Sequence, residues 1–261
     1  MSTHSTPIKR ELREQRRAER VAAERAEAAA GTRRARRLRL AGAAVLSAVL
    51  VAVAAIASSS GGTPAAPAPV ADDSAAALFR GIPERDGVLG DPEAPVTVTE
   101  YVDLQCPACA AASRDTLPAL VRDYVRTGKV KLEARTLQFI GPDSVRAARV
   151  AAGAERQGRL WPFLETFYAA QGPENSGYVT DAFLRSVAAA ASVDADAALS
   201  TAGSDAAAQR LNRASADAQR LGIDSTPTFT VASGNGEPRV LAAGAQDPRS
   251  LAAALDAELA R

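Results

Sequence analysis

Histidine is almost missing from this chain: His4, beside the start, is the only one in 261 residues. Ser-His-Asp triads, Cys-His pairs and histidine-ligated metal sites all need an imidazole in folded structure, so they drop out. Cysteine is nearly as scarce, with Cys106 and Cys109 alone. Two thiols cannot close a four-ligand zinc site or staple a small scaffold. No metal and no cofactor are expected. Lysine occurs only at positions 9, 129 and 131 among 31 cations. Together with the abundance of alanine, that arginine bias fits a GC-rich genome, so the arginine count carries no functional message. Apolar residues still make up 47% of the chain, enough to build a buried core.

The overall charge of +1 conceals an asymmetry. Residues 1–39 hold 12 Lys+Arg against 5 Glu, leaving 19 against 25 for residues 40–261. Such a basic arm suits nucleic acid or a membrane surface, and the adjoining apolar run favours the membrane. Leu40 to Ala57 is an 18-residue stretch without a charge. As a helix it is about 27 Å long, close to the roughly 30 Å hydrocarbon layer. Arg33, Arg34, Arg36, Arg37 and Arg39 precede it, and Ser58-Ser59-Ser60-Gly61-Gly62 comes after it. The expectation is a retained single-pass anchor, N-terminus in the cytoplasm and the remainder outside. Ala55-Ile56-Ala57 before Ser58 has the form of a signal-peptidase site, but the basic arm and apolar run both exceed a signal peptide's usual proportions. A buried soluble helix is the third reading. Arg10/Glu14 and Arg20/Glu24, four apart, suit an exposed helix within the arm.

Residues 58–78 are rich in Ser, Gly, Pro and Ala and read as a tether. A globular domain is expected over 79–261. Val96–Val102 alternates and is β-branched, so a strand is expected there. A helix should open near Cys106 and reach Thr127, kinked by Pro118, with Leu117, Leu120, Val121, Tyr124 and Val125 buried. A second strand is expected over Val130–Phe139. A helical block should come next over about 142–221, broken at Gly158, Pro162, Gly172-Pro173 and Gly203. Thr228–Ala232 and Arg239–Ala242 should pair across a Gly234-Asn235-Gly236 turn. Asp247 and Pro248 should open a last helix burying Leu251, Leu255 and Leu259. The order β, α, β, helical block, β, β, α is an α/β sheet carrying a helical insertion.

Cys106-Pro107-Ala108-Cys109 falls where the first strand meets its helix. A helix N-terminus offers unpaired N–H groups and a positive dipole end, both favouring a thiolate at Cys106. Pro107 is preset for a first helical turn, and the spacing brings the sulfurs within disulfide reach. Cys106 should be the more exposed sulfur and the nucleophile; Cys109 should be buried and resolve. The pair also admits a chance occurrence, half a metal site, or a purely structural bridge. So short a loop removes little chain entropy, which makes it a poor staple.

Glu100-Tyr101-Val102-Asp103-Leu104-Gln105-Cys106-Pro107-Ala108-Cys109 resembles the active-site strand and helix start of the DsbA-like thioredoxin-fold oxidoreductases, of the membrane-anchored type found in Gram-positive and actinobacterial cells. Gly90–Val98, Thr116-Leu117-Pro118, Thr127–Val130, Gly158–Trp161 and Gly222–Phe229 resemble further family segments, and the likeness spans about residues 82–260. It implies a thioredoxin fold with a helical insertion, preceded here by a basic arm and one transmembrane helix. It implies a cis bond from Thr226 to Pro227, close to Cys106, and a Thr226 backbone that pairs with an extended substrate; an ordinary strand-edge turn is the alternative. Pro107 and Ala108 would face that substrate. Glu100 stands where the family keeps a buried acid that shuttles the Cys109 proton. Its alternation with Val98 and Val102 argues for burial, against an exposed carboxylate at the strand end. Asp103 is expected to be more exposed and receives no role. Trp161, Phe163, Phe167 and Tyr168 fall at helical spacing and read as insertion core. Ala108 departs from the His of the strongest oxidants, which points to a milder one.

The reading is thus an extracytoplasmic thiol–disulfide oxidoreductase acting on exported cysteine-containing proteins. By resemblance, a DsbB-like or VKOR-like membrane partner would re-oxidise it. A reductase or isomerase of the same fold, and a non-catalytic tethered binding domain, are the alternatives.

Overall fold

The computed structural model describes residues 77–234, 236–241 and 247–261. The basic arm, the apolar span at 40–57 and the tether up to residue 76 lie outside the described residues, as do Asn235 and Ala242. Among the described residues no helix is long and apolar enough to cross a membrane.

Six strands form one sheet in the order β1-β2-β4-β3-β5-β6. β3 (Val96–Val102) is central, parallel to β4 (Val130–Thr136) and antiparallel to β5 (Thr228–Ser233). β6 (Arg239–Val240) pairs with β5, and Leu241 N–H still donates to the Phe229 carbonyl beyond it. The other edge is a hairpin, β1 (Glu84–Arg85) and β2 (Val88–Leu89), which the sequence reading did not assign. Asp86 and Gly87 turn it, both at positive φ (52° and 79°), as tight hairpins of this kind demand.

The helix after β3 runs in three pieces: α1 (Pro107–Asp115), α2 (Leu117–Leu120) and a π-turn over Val121–Val125. The break at Thr116 lies two residues before Pro118, which lacks an N–H to continue the ladder. Leu117, Leu120, Val121, Tyr124 and Val125 are all buried, as expected. β4 stops at Thr136, three residues short of the expected Phe139. The chain turns there because the Phe139 and Ile140 N–H groups are taken by a carboxylate, that of Asp103, instead of a neighbouring strand.

Between β4 and β5 lie α3 (Pro142–Glu155), α4 (Leu160–Ala169), α5 (Asp181–Ala190), α6 (Ala195–Ala202) and α7 (Asp205–Arg220). Breaks fall at Gly158, Gly172-Pro173 and Gly203. Pro162 does not break a helix: it occupies the first turn of α4, where N–H groups have no intrahelical partner anyway. Trp161, Phe163, Phe167 and Tyr168 all lie in the core. α8 (Pro248–Leu259) opens on Asp247, which accepts from Ser250 N–H, and Leu251 and Leu255 are buried.

Side-chain alternation along β3 sorts the site. Val98, Glu100 and Val102 share one face of the sheet. Tyr101, on the opposite face, packs instead with Leu137, Ala214, Ala218 and Ile223 under α7.

Candidate active site

Cys106 is the N-cap of α1 (φ −77°, ψ 117°), and Pro107 takes the first helical position. The Cys109 N–H, in the first turn of the helix, donates to Cys106 Sγ at 3.4 Å and to the Cys106 carbonyl at 3.1 Å. Cys106 Sγ also lies 3.3 Å from the Thr226 carbonyl oxygen. The peptide bond from Thr226 to Pro227 is cis. Both cysteines are free thiols here. Cys106 keeps 7% of its surface and Cys109 1%, which matches the expected ranking. Pro107 and Ala108 between them are exposed, Thr226 is half-buried and Pro227 is buried. Thr226 thus lies against the Cys106 sulfur, and Pro107 and Ala108 next to Cys106 in the chain face outward.

The two sulfurs differ in acidity. Cys106 is pulled down from 9 to about 6: the Cys109 side chain donates to it, burial opposes, and the Thr226 side chain and the N–H groups of Cys109 and Ala108 add further support. Cys109 is pushed well up by burial first, then by its hydrogen bond to Cys106 and by the charges of Cys106 and Glu100. One sulfur is thus held as a thiolate near neutrality and the other as a thiol. Glu100 keeps 5% of its surface and rises to about 8, through burial first and then the neighbouring Glu165.

Asp103 departs from its expected exposure: it is fully buried. Its Oδ1 accepts from Gln105 N–H (2.8 Å) and Ser144 Oγ (2.5 Å), and its Oδ2 from Phe139 N–H (2.8 Å) and Ile140 N–H (3.1 Å). A carboxylate can be buried when donors fill its lone pairs. This one pins the loop entering Cys106 to the loop leaving β4.

The insertion grips the same loop. Gln171 Nε2 donates to the Leu104 carbonyl (2.8 Å) and the Cys106 carbonyl (3.2 Å). Gln105, fully buried, donates to Tyr178 Oη at 2.7 Å and accepts from Asn175 N–H at 3.0 Å. Sequence reasoning missed Gln105, Gln171 and Glu165. Glu165 carried a readable signal, being the only charged residue in the otherwise apolar α4 stretch Leu-Trp-Pro-Phe-Leu-Glu-Thr-Phe-Tyr-Ala. Nothing in a single sequence marks Gln171. Among the described residues no group of three or more His, Cys, Asp and Glu is placed to hold a metal ion.

The Thioredoxin family model matches residues 84–257. A probable disulfide bond formation protein D of Bacillus cereus is 29% identical over 154 residues, 58% of this chain and 71% of that protein. Disulfide bond formation protein D of Bacillus subtilis is 28% identical over 147 residues, 55% of this chain and 66% of its own length. The chain thus spans about two thirds of these relatives. The crystal structure of oxidised BdbD from Bacillus subtilis superposes with a TM-score of 0.59 at 26% identity, covering 69% of this chain and 97% of that one.

Proposed function

The chain belongs to the DsbA-like thioredoxin-fold family of thiol–disulfide oxidoreductases, and from that premise we propose that it donates disulfides to exported proteins through Cys106 and Cys109. A substrate thiolate attacks Cys106 Sγ of the Cys106–Cys109 disulfide. The S–S bond breaks, a mixed disulfide forms at Cys106, and Cys109 leaves as a thiolate that takes a proton. A second substrate thiolate then attacks the mixed disulfide, releasing oxidised substrate and the Cys106 thiolate. Glu100 supplies the Cys109 proton, being buried, raised to about 8 and acting on the Cys109 thiol. Thr226 and Pro227, with exposed Pro107 and Ala108, form the substrate contact, and the Thr226 backbone pairs with an extended peptide.

The observation that carries this reading is the placement of Cys106 as the N-cap of α1, with the Cys109 N–H on its sulfur and the Thr226 carbonyl of the cis Thr226–Pro227 bond 3.3 Å away; its thiol is accordingly lowered to about 6. A stabilised thiolate stabilises the reduced enzyme, so its disulfide is the better oxidant. Ala108 supplies no imidazolium, so the potential should fall between thioredoxin's roughly −270 mV and DsbA's roughly −120 mV. Equilibrating the protein with glutathione mixtures tests this. A value at or below thioredoxin's would favour the reductase reading and rule out the donor. Trapping in cells is the second test: Cys109→Ser should accumulate mixed disulfides that Cys106→Ser does not.

The proposed topology is a cytoplasmic arm (1–39), a membrane anchor (40–57), an extracytoplasmic tether (58–78) and the catalytic domain (79–261). The charge-free 18-residue run after an arginine cluster supports it, as does the persistence of disulfides outside the cytoplasm. A DsbB-like or VKOR-like membrane protein is the proposed re-oxidant. Alkylation of Cys106 in intact cells by a membrane-impermeant reagent would agree with this topology; protection until lysis would contradict it.

A further inference from the structure

Behind the cysteine pair the molecule holds a second acid, Glu165, that the proposed disulfide exchange does not use. Ser113 lies four residues after Cys109, on the same buried face of α1. Its hydroxyl donates to Glu165 Oε2 at 2.6 Å, joining α1 to α4. Three residues further along α4, the buried Tyr168 hydroxyl donates to the Asp103 carbonyl at 3.4 Å. The groups facing this region are Cys109 and Ser113 from α1, Glu100 from β3, Asp103 from the loop after β3, and Glu165 and Tyr168 from α4. None of these is a cation, so nothing among them neutralises a second negative charge. Glu100 is almost sealed from water, whereas Glu165 is only half-buried.

We propose that Glu165 is a relay residue acting through Glu100: it passes the proton that Glu100 exchanges with Cys109 to and from solvent, held in place by Ser113. The proposal rests on the reading of Cys106 and Cys109 as the exchange pair. When the disulfide opens, the Cys109 thiolate takes the proton of the Glu100 carboxyl. The Glu100 carboxylate takes that of Glu165, and Glu165 is reprotonated from water. Re-oxidation reverses each transfer. The two acids suit this task because both rise to about 8, chiefly through burial, and two like charges close together resist ionising together. If Glu165 served only to fasten α4 to α1, a glutamine that still accepts from Ser113 would replace it without kinetic effect.

The test uses the purified full chain and glutathione as reductant, following disulfide opening from pH 5 to 9. Glu165→Gln should slow opening at least about tenfold, below the roughly 10²–10⁴-fold contributed by a direct general acid. It should also move the midpoint of the pH profile down, since Glu100 loses its like-charged neighbour. Glu165→Asp should restore much of the rate. Alkylation of Cys106 in the reduced protein should be unchanged in every variant. Unchanged rate and profile in Glu165→Gln, with Cys106 reacting normally, would overturn the relay and leave the exchange pair standing. A wild-type disulfide that glutathione cannot open would instead remove the premise. Ser113→Ala covers the case where Glu165→Gln does not fold. It removes the one bond that lowers Glu165, so the midpoint should move up, and an unmoved midpoint again overturns the proposal.

Discussion

Two thiols separated by two residues acquire opposite acidities because the backbone treats them differently. Cys106 precedes the first helical turn, where donors converge on its sulfur, while Cys109 lies inside with burial and negative neighbours acting on it. An added positive charge should deepen that contrast. Ala108→His should lower the Cys106 thiol further and make the disulfide more oxidising, by about 30 mV for each tenfold gain in reduced-form stability; equilibration with glutathione reads it. Asp103 acts at the same scale with a structural outcome. Asp103→Ala leaves the donors of Gln105, Phe139, Ile140 and Ser144 without their acceptor. With buried donors left unmade, it should cost at least about 3 kcal/mol by denaturant unfolding. The sequence betrayed Cys106, Cys109 and Glu100, whose meaning lies in local spacing and strand alternation. It hid Asp103's burial, because the donors that make burial tolerable sit 36, 37 and 41 residues downstream.

Elements hold the site through close approaches that leave little tolerance. Gly153 in α3 faces Ala198 of α6 so closely that an added Cβ would sit 2.5 Å from the Ala198 Cα. Gly153→Ala should therefore destabilise by about 1–3 kcal/mol despite alanine's better helix propensity. Gly203, whose nearest obstacle is the Ser200 carbonyl at 3.9 Å, should accept alanine with little change. A thermal-melt comparison of the two separates packing from propensity. α4, which carries Glu165, begins at Arg159 without a side-chain cap of its own. Glu84 of β1 supplies one, accepting from Leu160 N–H at 2.5 Å. Burial nevertheless raises Glu84 from 4.5 to about 7, against the pull of the Leu160 and Trp161 N–H groups. A carboxyl raised on folding contributes stability below its unfolded value and loses it as pH rises through the folded one. Glu84→Gln should thus lie close to wild type near pH 4.5 and exceed it by up to about 3 kcal/mol at pH 8. Helix ends and strand starts were mostly legible from caps, prolines and glycines. The β1–β2 hairpin was overlooked although Asp86-Gly87 announces such a turn, because its strands have two residues each and show no periodicity.

At the scale of the whole molecule, the sheet sets β3 at its centre, with Glu100 on one face behind α1, and the insertion returns to clasp the loop bearing Cys106. The order of elements was readable because a parallel β3–β4 pair separated by a helix leaves few topologies. The insertion's grip was not, since Gln171 and Asn175 reach the site only through tertiary packing. The central claim is that this architecture holds Cys106 as a thiolate near neutral pH. A thiol depressed on folding stabilises the reduced protein at high pH and loses that contribution as pH falls through the folded value. The reduced form should accordingly gain stability relative to the oxidised form between about pH 6 and pH 9. Most direct is the ultraviolet thiolate absorbance of the reduced protein, titrated against pH with the Cys106→Ser variant as blank. One thiolate appearing with a midpoint near 6 is the predicted result; a midpoint near 9 would contradict the account.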